Sequence, residues 1–195
     1  MQKLGLNSAL RFGWLGGMLM GILLVATGEA HAHDDDYHGD HHRRSRGRLM
    51  LALDGDYSSA IQNDQIKYGG GGALRIGTQR NLILITLIPE LTLDHHNFDA
   101  HTRDNASITT GKVGGRIRFL KILEPGVFAH VGVGHIGGDR VYSHTGVAFD
   151  AGVTLDFTLI PLIDIGIHGA WNRIFGGYDS GVSYGTTGVH VALVL

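Results

Sequence analysis

From Arg48 to Leu195 the chain alternates between apolar and small or polar residues with a period of two, and no segment carries a convincing 3.6-residue period. A period of two puts successive side chains on opposite faces of a strand. Sorted by parity, the region divides into eight runs. Leu49, Leu51 and Leu53 oppose Met50, Ala52, Asp54 and Asp56. Tyr68, Leu74 and Ile76 oppose Lys67, Ala73 and Arg75; Leu87, Leu91 and Leu93 oppose Thr86, Glu90, Thr92 and Asp94. Val113, Ile117 and Phe119 oppose Lys112, Gly114, Arg116 and Arg118, and Val127, Val131 and Val133 oppose Phe128, His130, Gly132 and Gly134. Phe149, Val153, Leu155 and Phe157 oppose Asp150, Gly152, Thr154 and Asp156. Ile163, Ile165, Ile167 and Trp171 oppose Asp164, Gly166, His168 and Asn172, and Val189, Val191, Leu193 and Leu195 oppose Gly188, His190, Ala192 and Val194. On this reading one face holds no Lys, Arg, Asp or Glu, and His135, at a strand end, is its only ionisable group.

Two architectures give eight such strands: a soluble barrel with the apolar face inward, as in a lipocalin, or a transmembrane barrel with that face toward lipid. The interior of an eight-stranded barrel is just wide enough for side chains to fill. So many Val, Ile, Leu, Phe and Trp residues exceed that volume, whereas Gly, Ala, Thr and paired charges suit it. Tyr57, Tyr68, Phe119, Phe157 and Trp171 lie near run ends, where interfacial girdles sit. The connections, placed at 58–65, 78–80, 95–106, 121–124, 137–144, 158–161 and 174–183, alternate long and short. The expected fold is all-β: an eight-stranded, antiparallel, up-and-down transmembrane β-barrel over residues 48–195. Its lumen should be closed by a charge network of Asp54, Asp56, Lys67, Arg75, Glu90, Lys112, Arg116, Arg118, Asp150, Asp156 and Asp164, with Asp94 on the same face.

What precedes the barrel reads as an address and a spacer. Lys3 and Arg11, the uncharged run from Phe12 to Ala26 and the Ala30-His31-Ala32 cleavage pattern describe a signal peptide over residues 1–32. The run is shorter than a membrane-spanning helix. Residues 33–47 are His-, Asp- and Arg-rich, have nothing to bury and are expected to be disordered. His33, His38, His41 and His42, beside four aspartates, offer imidazole and carboxylate donors for a loosely held Zn, Ni or Cu ion. A solvated spacer is the simpler reading.

Composition removes other classes. Cysteine is absent, which excludes a disulfide scaffold, a thiolate metal site, a Cys nucleophile and a lipoprotein anchor. Sixteen Lys and Arg against 18 Asp and Glu leave a formal charge of −2, with no basic field for nucleic acid.

The stretches FDAGVTLDF, IDIGIHGAWN and GVHVALVL resemble the strands of small outer-membrane β-barrel proteins of the OmpA, OmpX and opacity-protein type, and the likeness covers about Arg48 to Leu195. It implies a Gram-negative outer membrane and three classes of partner. These are membrane lipids with lipopolysaccharide, the barrel-assembly machinery that reads the last strand, and an extracellular ligand of the loops. Leu195 stands where the family usually ends in an aromatic residue.

Three motifs suggest other chemistry. Gly132, Gly134 and Gly137 match G-x-G-x-x-G, but a dinucleotide site needs a helix to open there and a strand pattern continues instead. Ser143-His144 near Asp150 suggests a hydrolase, yet adjacency does not make a triad. His95, His96 and His101 fall in the expected long loop. The expectation is a monomeric structural or surface-interaction barrel, without enzyme activity or cofactor. The alternatives are a narrow channel or carrier, a lipid-modifying barrel enzyme and a lipocalin-like periplasmic binder.

Overall fold

The structure, a computed structural model, describes residues 47–61, 66–100, 105–120, 122–138, 143–160, 162–176 and 181–195. The signal segment and the His/Asp-rich segment, apart from Gly47, lie outside the described residues, and with them His33, His38, His41 and His42.

Eight strands follow one another: β1 (Arg48–Ile61), β2 (Ile66–Asn81), β3 (Ile85–Ala100), β4 (Asn105–Phe119), β5 (Leu123–Gly138), β6 (His144–Ile160), β7 (Ile163–Phe175) and β8 (Val182–Val194). Each pairs antiparallel with its neighbour in the chain. β1 also pairs with β8, from Met50 opposite Val194 to Ile61 opposite Ser183, and the sheet closes into a barrel. Closure gives every strand two neighbours, the condition under which a sheet can enter lipid without unpaired backbone groups.

The pleat sorts the side chains as the parity of the sequence demands. Leu53, Val127, Val131, Val153 and Val189 point outward and are exposed, while Lys112, Arg116, Arg118 and Asp156 point inward and are buried. The outward apolar residues form a continuous belt. Tyr57, Tyr68 and Trp171 border it toward the end opposite the termini, and Phe119 and Phe157 toward the end that carries them. A one-residue slip of β4 would turn Lys112, Arg116 and Arg118 onto the belt. Each such charge costs about 2–4 kcal/mol near a bilayer midplane, and the register is fixed accordingly.

The strands run further than the sequence suggests. Thr78, Gln79 and Arg80, expected as a turn, lie within β2, and Thr78 and Gln79 pair with Leu49 and Arg48; the chain turns at Leu82–Leu84 instead. His95, His96, Phe98 and Ala106, expected in a loop, lie in β3 and β4. Beyond the belt the outward positions become polar, as at Asn97, Ser107 and Ser59, which hides the alternation. The inward positions keep it. Phe98, Ala106, Ile108, Ile136, Ala148, Ile174 and Tyr184 pack together and fill the lumen toward the loop end. A smaller cluster of Met50, Ala52, Ile88, Ala192 and Val194 lies toward the end carrying the termini. The outward face also gains His95 and Arg173 beside His135, because the longer strands carry them past the belt.

Candidate functional site

Between the two apolar clusters the lumen is filled by ion pairs. Glu90 on β3 is the hub: its Oε2 accepts from Arg75 Nη1 on β2 at 3.2 Å, and its Oε1 accepts from Arg116 Nε on β4 at 3.2 Å. The same Oε1 meets His130 Nε2 on β5 at 3.0 Å. Arg75 continues to Asp54 on β1, donating from Nε and Nη2 at 2.8 Å each, a two-pronged bond that holds the guanidinium plane. His130 Nδ1 lies 2.6 Å from Asp150 on β6. Lys112 Nζ then joins Asp150, at 2.6 Å, to Asp94, at 2.7 Å. Thr110 donates to Asp94 at 2.8 Å, and Ser58 Oγ contacts His96 Nδ1 at 2.8 Å just below the apolar plug.

A second group sits nearer the termini. Arg118, fully buried, donates to Asp164 at 2.7 Å and forms ion pairs with Asp156 at 2.9 Å and Glu124 at 3.6 Å. Thr154 connects the two groups: its hydroxyl donates to Asp156 at 2.9 Å and accepts from Arg116 Nη1 at 3.4 Å. Arg116 also lies over the Phe128 ring, 5.0 Å from its centroid. Within this network lies a small cavity, about 40 Å³, lined by Asp54, Asp56, Arg75, His168 and their neighbours. A wider recess of about 280 Å³ opens at the end carrying the termini, lined by Arg48, Asn81, Glu124 and Asp164 among others.

The structure thus gathers Asp54, Arg75, Glu90, Lys112, Arg116, Arg118, Asp150, Asp156 and Asp164 into contact, and Asp56 joins through His168 Nε2 at 2.8 Å. Lys67 does not belong. The β2–β3 register shifts between Ile66 and Gly69, and Lys67 is exposed beyond the belt. Glu124, read as part of a turn, is buried in β5 beside Arg118. With it, eight carboxylates among the described residues face inward against Arg75, Lys112, Arg116 and Arg118, and Arg48 stands at the mouth. Four histidines of this face each lie against one of those carboxylates: His96 by Asp94, His130 by Asp150, His168 by Asp56 and His190 by Asp156. Asp54, His168 and His190 offer ligand atoms that all lie within 4.8 Å of one another, the one such trio among the described residues.

The other motifs separate. Gly132 and Gly134 lie in β5, where no helix opens. Asp150 faces the lumen, bound to Lys112 and His130, whereas Ser143 is exposed on the outside, so Ser143, His144 and Asp150 do not assemble. Ser143 Oγ instead lies 3.4 Å from His135 Nε2, whose Nδ1 contacts Thr145 Oγ1 at 3.0 Å. His95 points outward and His96 inward, so they share no site, and His101 lies outside the described residues.

A closed eight-stranded barrel with an apolar exterior and a salt-bridged interior defines the class: its fold is that of the small outer-membrane β-barrels. Neisserial surface protein A matches it with a TM-score of 0.56 and 12% identity over 74% of this chain and 96% of that one. Ail of Yersinia pestis gives a TM-score of 0.48 at 15% identity over 76% and 99%, and the outer membrane enzyme PagL gives 0.49 at 12% over 75% and 98%. At 12% identity the likeness to neisserial surface protein A is one of fold. No family model and no curated protein matches the chain.

Proposed function

We propose that the chain is an integral outer-membrane barrel whose lumen is a plug and whose work is structural or is done at its surface. One observation carries the reading: the unbroken path Asp54–Arg75–Glu90–His130–Asp150–Lys112–Asp94 ties together, inside the lumen, buried side chains of six consecutive strands, β1 to β6. A solute would have to separate buried ion pairs to pass, and breaking one by removing a partner costs about 3–5 kcal/mol. The uncharged belt supports insertion in lipid. His95, His135 and Arg173, just outside it at the loop end, stand where lipopolysaccharide headgroups would lie. The test is conductance of the purified protein in planar bilayers, with membrane fractionation of the producing cells. Stable single-channel steps, or recovery in the soluble fraction, would overturn the reading.

A second reading, a lipid-modifying barrel, draws on the contact between Ser143 and His135 on the outer face. A hydroxyl held by an imidazole is the start of an acyl-transfer site, but the orienting group here is the Thr145 hydroxyl and not a carboxylate. Mass analysis of lipid A from cells producing the wild type or Ser143→Ala decides it: a lost acyl chain that returns in the variant would establish an enzyme.

A further inference from the structure

Three strands of the wall bring two imidazoles and a carboxylate to one point of the lumen. His190 on β8 is the register partner of Asp54 on β1 and of Gly166 on β7. His168, two residues past Gly166, is paired with Gly188 and is the diagonal neighbour of His190 on the same inner face. With glycine opposite each ring, the two imidazoles approach to 5.7 Å between centroids.

The atoms around them are placed as they are around bound metals. His168 Nε2 is held by Asp56, whereas His190 Nε2 lies against Asp156 without making a hydrogen bond. Metal-ligating histidines ordinarily anchor their second nitrogen on a carboxylate, which fixes ring and tautomer. His190 is 1% exposed, and neither of its ring nitrogens has a hydrogen-bond partner among the described residues. Asp54 and His168, though not His190, also line the cavity of about 40 Å³, which has room for an ion or a single water beside them. Arg75 binds both oxygens of Asp54, but each oxygen keeps a second lone pair for a cation. Over the lumen as a whole the inward carboxylates outnumber Arg75, Lys112, Arg116 and Arg118.

We propose that Asp54, His168 and His190 form a lumen site for a divalent transition-metal ion. Two imidazoles and one carboxylate suit Zn²⁺ and its neighbours; Mg²⁺ and Ca²⁺ take oxygen ligands. The ion joins β7, β8 and β1, and so fastens the seam where the first and last strands meet.

The probe is Zn²⁺, added to the full chain folded in detergent and read by calorimetry, by metal content after gel filtration and by the denaturant midpoint. Replacing His33, His38, His41 and His42 with Gln removes the competing imidazoles of residues 33–47. In that background one Zn²⁺ per chain and a raised midpoint should remain. Adding His168→Gln or His190→Gln should weaken binding at least tenfold and abolish the rise in midpoint. Co²⁺ in place of Zn²⁺ should give visible absorption bands that vanish in the same variants. If His190→Gln does not fold, His168→Gln decides alone. No Zn²⁺ bound in the Gln background, or unchanged affinity in His168→Gln, would overturn the site. Either result leaves the plug untouched, since conductance reads that separately.

Discussion

Glu90 and His130 meet across a strand that belongs to neither: Oε1 and Nε2 are 3.0 Å apart, with β4 between β3 and β5. The register explains how. Gly114 of β4 is the partner of Glu90 on one side and of His130 on the other, and with no side chain there the two reach over it. A Cβ at Gly114 would run into His130 and the Ala129 carbonyl.

Gly114→Val should therefore destabilise the barrel by about 1–3 kcal/mol, the usual cost of overpacking. Gly111→Ala is the control, since nothing lies within 4 Å of a Cβ at that outward position. Urea unfolding in micelles should lower the midpoint for the first and leave the second at or above wild type. Equal midpoints would mean that the crossing is not tight.

Glu90→Gln keeps the shape and removes the charge that faces Arg75, Arg116 and His130. Two buried guanidinium groups then lose their shared counter-ion, and about 3–5 kcal/mol should go with it, less where lumen water intervenes. The same unfolding assay reads it; an unmoved midpoint would show the network to be loose.

On the outer face the cost of a charge should depend on depth. Val127→Arg, within the belt of β5, should lose about 2–4 kcal/mol in folding equilibria with liposomes, and His135→Arg, beyond Val133, about 0–1 kcal/mol. Equal losses at the two positions would place the bilayer elsewhere on the barrel.

Orientation can be read because the chain has no cysteine of its own. Ser143→Cys at the loop end and Ile83→Cys in the turn at the other end are both exposed. On intact cells a membrane-impermeant maleimide should label the first and spare the second. The reverse pattern would mean an inverted barrel.

The wall of this barrel was legible in the sequence because a period of two is a local property. Lys112, Arg116 and Arg118 declare the inner face of β4 without reference to any other strand. Lys67 shows the limit: it shares parity with Arg75, but the irregular pairing before Gly69 breaks the count and the strand has already left the belt. Phe98 and Tyr184 were hidden for a related reason. Their outward neighbours are polar, so inward residues that close the lumen looked like loop. Glu124 was hidden by its short run between Lys121 and Pro125. The pairings themselves were beyond reach. That Arg118 of β4 meets Asp164 of β7 depends on the curvature of a closed sheet, which brings together side chains from strands that never touch.

The seam between β1 and β8 sets the order in which the molecule can come into being. Met50 finds its partner in Val194, so the first strand to leave the ribosome waits for the last before its outer edge is satisfied. Until then the chain carries two open edges and a lipid-seeking face, and a copy cut short before β8 leaves β1 without the partner it has here. Quality control of this protein is thereby written into its connectivity: the final dozen residues certify all the others.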